Sequence, residues 1–144
     1  MMKIEQEMEI RQISMYCDII KNVLKEHHSL SIPKMCVFSF LIKQECVIDS
    51  AIFMNTITTN IVSKYLSLLI GKFEQFEKSY EFIFKALNIL IVNSVIRNQE
   101  GVLSLVKIET SSTLYEEREF TKKVIEESKK WSDKRFMREV LYNV

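Results

Sequence analysis

The chain has 144 residues, a formal net charge of +1 and 47% hydrophobic residues, with Gly71, Gly101 and Pro33 its only glycines and proline. That length suits one compact core, and so few turn-forming residues argue against a β-sandwich or barrel and for a mainly helical fold. A charge so near zero excludes a global field that would draw the chain onto phosphate backbones, so nucleic-acid binding would need a local patch.

Residues 4–27 carry Ile10, Ile13, Tyr16 or Cys17, Ile20 and Leu24 at three-and-four spacing, with Ile19 and Val23 widening the stripe. The spacing predicts an amphipathic helix with a partner packed on it. Ser31 is an N-cap candidate and Pro33 suits a first helical turn. Met35, Cys36, Val37, Phe38, Phe40, Leu41 and Ile42 are then apolar in every direction, as in a helix enclosed by its neighbours, although a short buried strand would look similar; a helix is the favoured reading. Residues 46–59 mix β-branched and polar side chains without periodicity.

A short helix is expected over residues 60–70, with Gly71 as its left-handed terminator. Phe76, Tyr80, Ile83, Phe84, Leu87, Leu90 and Ile91 predict a central helix over residues 73–96, with Glu81, Lys85 and Asn88 as a narrow polar stripe. Gly101 then suits a hairpin turn, and Val102, Leu103, Leu105, Val106 and Ile108 favour extended structure. This is a two-stranded wing with Arg97, Asn98, Gln99 and Glu100 at its tip.

From Leu114 the chain becomes rich in charges of both signs. Phe120, Val124 and Trp131 form a thin seam on one charged helix. Ser132 and Asp133 can cap a last helix whose Phe136, Met137, Val140, Leu141 and Val144 face one way. The expected architecture is a mainly α fold with a small β-hairpin: a winged-helix-like helical domain over residues 1–110 and a charged C-terminal helical arm over residues 111–144. The arm's stripe of Phe120, Val124, Trp131, Phe136, Val140 and Leu141 is expected to dock on a partner.

Cys17, Cys36 and Cys46 are odd in number and lack a pairing motif, which points to a reducing, cytoplasmic setting. No uncharged stretch reaches the roughly 20 residues of a spanning helix, and the N-terminus lacks an export-signal core. His27 and His28 point about 100° apart on a helix and read as a surface helix end, not a metal site. A Cys–His nucleophile pair using Cys36 or Cys46 lacks any accompanying signature. Two isolated glycines cannot build a phosphate loop. Glu116, Glu117, Glu126 and Glu127 read as solvated helix faces beside lysines, and Glu45 and Asp49 are weak acid–base nominees. No catalytic residue, metal or cofactor is expected.

For DNA readout the central helix offers only Glu81, Lys85 and Asn88, while Lys122, Lys123, Lys129, Lys130, Lys134 and Arg135 are interleaved with acids. Arg97, Asn98 and Gln99 remain candidates for a phosphate or a partner's surface. The helix over residues 15–24, the apolar run over residues 33–42, the helix over residues 84–96 and the Glu100-Gly101-Val102-Leu103 turn together resemble the middle component of bacterial ABC three-component systems. That family includes the small subunit of Lamassu anti-phage defence. The resemblance spans residues 15–106 and implies a non-enzymatic adaptor in a hetero-oligomer. Its partners would be an SMC-like or Rad50-like ATPase and an effector, often a nuclease, with DNA sensed through the complex and no membrane involved. The alternative is a winged-helix DNA-binding regulator.

Overall fold

A computed structural model describes residues 3–44, 60–106 and 118–143 of the chain. Helix α1 spans Ile4–His27, with Glu5 and Glu7 in its first turn and Lys25 and His27 in its last, charges that complement the helix dipole. Tyr16, Ile19, Ile20, Val23 and Leu24 are buried along its inner face. The helix stops at His28, whose φ of 69° turns the chain directly into strand β1, Ser29–Ser31.

Helix α2, Ile32–Gln44, is the centre of the fold. Every residue from Lys34 to Ile42 is buried, in agreement with a stretch apolar on all sides. Ser31 precedes it, but the Ser31 hydroxyl donates to Asp133 Oδ1 at 2.6 Å instead of capping the helix.

Helix α3, Ile61–Leu66, starts where the Asn60 side chain accepts from the Ser63 amide at 3.2 Å, and a 3-10 turn, Ser67–Leu69, extends it. Gly71, at a φ of 78°, reverses the chain as expected of a left-handed terminator. Helix α4, Phe73–Val92, ends four residues before the expected boundary. Ser94 takes a φ of 58°, the Val95 amide donates to Leu90 O and the Ser94 amide donates to Ile91 O. This pair of bonds is a Schellman ending built on serine where glycine is usual, so the sequence carries no stop signal there.

Strands β2, Ile96–Gln99, and β3, Val102–Leu105, pair antiparallel with Gln99 opposite Val102. Glu100 and Gly101 both have positive φ, 53° and 84°, the conformation of a two-residue hairpin loop that follows strand twist. The wing is wider than expected, because β1 adds to the other edge of β3 with Leu30 opposite Leu103. A three-residue strand is too short to show a period in sequence. Arg97, Asn98 and Gln99 lie along β2, not at the tip.

Helices α5, Glu119–Ser128, and α6, Asp133–Asn143, follow. Val124, Ile125, Trp131, Phe136 and Val140 are buried in the same cluster as the α1, α2 and α4 core residues. The Phe136 ring lies 5.3 Å from Phe38, whose other neighbour is Tyr65 at 5.9 Å. The C-terminal helices thus complete the burial of α2. Phe136→Ala should cost about 3–5 kcal/mol in urea unfolding of the full chain, whereas Leu141→Ala should change stability by no more than about 0.5 kcal/mol.

Candidate partner-binding surface

The outward side of α4 is unusually apolar. Phe76, Ile83, Leu87 and Leu90 point into the core, which leaves Phe73, Phe84, Ile89, Ile91 and Val92 exposed. Phe84 is 50% exposed and Val92 72%. Phe84, Asn88 and Ile91 fall at three-and-four spacing on one face, with Glu77 and Glu81 ahead of them. Phe84 is propped by a ring stack on Tyr80, 5.8 Å away, which leans on Phe76 at 4.7 Å. Lys85 is held by Glu9 of α1 and by Glu81 at 3.1 Å, and these hydrogen bonds, Glu9's first, raise its pKa. Lys85 is therefore committed within the chain, and the other exposed cation on this side of the helix, Lys78, lines the cleft against α1 and α2.

Beside this face, Arg97, Asn98 and Gln99 are exposed on β2. Asn98 is partly used, since its Oδ1 accepts from the Gly101 amide at 2.9 Å and braces the turn.

The expected docking stripe on the tail is distributed differently. Val124, Phe136 and Val140 are fully buried, Trp131 is 9% exposed and Phe120 packs partly against the core with its ring 6.3 Å from Tyr65. Four of these five are buried in internal packing, and Phe120 keeps only part of its ring exposed. Only Leu141, 67% exposed, points outward, beside Tyr142 at 84%. The correction has a simple cause: an amphipathic stripe specifies that something covers it, not which molecule does.

His27 is likewise not a surface helix end. It is 2% exposed, with Nδ1 2.6 Å from Glu126 Oε1 of α5. Lys129 donates to the His27 carbonyl, and the buried Lys34 Nζ donates to Trp131 O at 2.6 Å with Asp133 3.9 Å away. Burial lowers the Lys34 pKa, and Asp133 partly restores it. The Arg135 guanidinium lies 3.9 Å over the Trp131 ring. Together these contacts clasp α5 and α6 to the first half of the chain. Sequence reading missed the clasp because its members are separated by about a hundred positions.

The described thiols and the Tyr16 hydroxyl are not activated. Burial pushes the Cys36 thiol and the Tyr16 hydroxyl each up to about 12, the latter opposed by a hydrogen bond with Ser79. Burial also raises the Cys17 thiol. A nucleophilic cysteine needs the opposite shift. An open cleft of about 280 Å³ between α1, α2 and α4 is lined by Gln12, Tyr16, Phe40, Lys43, Lys78 and Ser79, among others. Lys43 donates to Gln12 there and sits 5.2 Å over the Tyr16 ring. Among the described residues no group of three or more His, Cys, Asp and Glu could hold a metal, and no helix is long and apolar enough to cross a membrane. Glu45, Cys46, Asp49, Glu116 and Glu117 lie outside the described residues.

No protein-family model, curated protein or solved structure matches the chain.

The clasp has a pH signature. The His27 hydrogen bond, with help from Lys129, lowers the Glu126 pKa. A carboxylate whose folded pKa is depressed contributes stability above its unfolded pKa and loses it as pH falls through the folded one. Wild type should therefore melt above Glu126→Gln near neutral pH, with the gap closing below about pH 4 in paired thermal melts.

Proposed function

We propose that this chain is a non-enzymatic adaptor, an accessory subunit of an SMC-like or Rad50-like ATPase complex in anti-phage defence, linking the ATPase to an effector. The observation that carries the adaptor reading is the exposed apolar face of α4, with Phe84, Ile91 and Val92 set on a rigid, core-anchored helix. Exposed apolar surface of this kind is the usual mark of a protein contact, and an exposed aromatic such as Phe84 that becomes buried on binding supplies much of the binding energy in such contacts. The particular complex rests on the family resemblance of residues 15–106 and is the finer part of the proposal.

The test is co-purification with an SMC-like ATPase encoded beside this chain. Wild type should form a stable complex. Phe84→Asp combined with Val92→Asp should weaken it by about tenfold or more while leaving the melting temperature nearly unchanged, because both side chains are at least half exposed. No complex with wild type, or an undiminished complex with the variant, would overturn the proposal.

A second reading, a winged-helix DNA-binding regulator in the cytoplasm, draws support from the element order. Helix, strand, helices and hairpin follow one another, with β1 added to β3. Against it, the outward face of α4 presents Glu77 and Glu81 and a Lys85 already paired, a poor match to phosphates. A duplex-DNA mobility shift at low salt that weakens as salt rises would favour this reading, and no shift would remove it.

A further inference from the structure

Helices α4 and α6 present matching outward faces of opposite charge. On α6, Phe136 and Val140 point inward, which places Lys134, Arg138, Leu141 and Tyr142 on the solvent side. The acids of this helix lie off that face. Asp133 accepts from Ser31 and faces Lys34, and Glu139 is half-buried. Lys134 and Arg138 form no ion pair among the described residues. On α4, Glu77, Glu81 and Phe84 are exposed; Glu81 shares Lys85 with Glu9, and Lys78 lies to one side, at the cleft, so acids outnumber free cations on this stripe.

The spacings coincide. Glu77, Glu81 and Phe84 are separated by four and then three residues, and so are Lys134, Arg138 and Leu141. Laid parallel, the two helices set Glu77 against Lys134, Glu81 against Arg138 and Phe84 against Leu141. Tyr142 then falls opposite Lys85, and an aromatic face suits both the stem and the ammonium of a lysine.

We propose that the α4 face of one copy of this chain docks the α6 face of a second copy, a head-to-tail contact. The inference rests on the reading of α4 as a docking face: in the absence of the ATPase that face takes a second copy, and the two occupants exclude one another there. A phosphate backbone would satisfy Lys134 and Arg138 but would leave Leu141 and Tyr142 without a role, and it would meet no match on α4. A second copy satisfies both faces at once. Charge pairs fix register and partner choice in such a contact, while the apolar ends supply the burial. Because the two surfaces differ, every open assembly keeps one free α4 face and one free α6 face, so association grows with concentration.

The test is sedimentation of the full chain at about 50 mM salt, where the Debye length of roughly 14 Å leaves surface charges active. Wild type should associate with a dissociation constant on the order of 10–100 μM, as befits a small interface. Glu77→Lys with Glu81→Lys should be monomeric, as should Lys134→Glu with Arg138→Glu. An equimolar mixture of the two variants should associate again, because each reversed face then meets its complement. Far-ultraviolet melts check that both variants are folded.

A monomeric wild type throughout this range, or a mixture that associates no better than its components, overturns the proposal. Duplex-DNA binding that depends on Lys134 and Arg138 in a chain that does not self-associate also overturns it, and assigns α6 to phosphate. The adaptor reading fails separately. It is lost if Phe84→Asp with Val92→Asp retains the ATPase, and it stands if that variant loses the ATPase while wild type remains monomeric.

Discussion

The all-round burial of α2 is the constraint from which the rest of the structure follows. Nine consecutive residues, Lys34 to Ile42, are buried, and a helix that apolar must be walled on every side before the chain gains from forming it. Helices α1 and α4 supply two walls and β1 leads into it. Helix α6 closes the remaining side through Phe136 on Phe38. Without α5 and α6 the Phe38 side of α2 would face water, so the C-terminal helices are part of the core and not an arm reaching for a partner.

The polar contacts around this core decide how that last wall is held. Lys34 sits inside the enclosed helix, and its ammonium is satisfied by the Trp131 carbonyl and steadied by Asp133. His27 meets Glu126, and Ser31 meets Asp133. A buried polar group without a partner costs far more than the net gain from one that has found it, so these pairs set where α5 and α6 can sit. They also sort the charges of the tail. Glu126 and Asp133 are drawn inward, while Lys134 and Arg138 are left on the outside of α6. A neutral chain thereby acquires a local cationic face, which composition alone conceals.

Functional surface appears where the core has no further need of apolar side chains. Along α4 the inward stripe of Phe76, Ile83, Leu87 and Leu90 suffices for packing, and Phe84, Ile91 and Val92 remain exposed beyond it. The periodicity of residues 73–92 was legible as a helix, yet its polar stripe of Glu81, Lys85 and Asn88 was too narrow to show which apolar residues would face water. The hairpin was legible at Gly101, but β1 was not, since Ser29-Leu30-Ser31 becomes a strand only by pairing with Val102, Leu103 and Ser104. The end of α4 was misplaced because Ser94 adopts the left-handed conformation that a glycine would have announced.

By itself the sequence determined the elements whose cause is local. Three-and-four spacing made α1 and α4, uniform apolarity made α2 an enclosed helix, and Gly71 and Gly101 marked two of the turns, whereas the central place expected of residues 73–96 belongs to α2. Tertiary structure decided everything that depends on which distant surface meets which. It turned Val124, Trp131, Phe136 and Val140 from a docking stripe into core, and it buried His27 against Glu126. It also left Phe84 and Val92 in solvent. The physical reason is that an apolar stripe or a charge encodes the need for a partner, whereas the partner's identity is set only by packing across a sequence separation that no local pattern records.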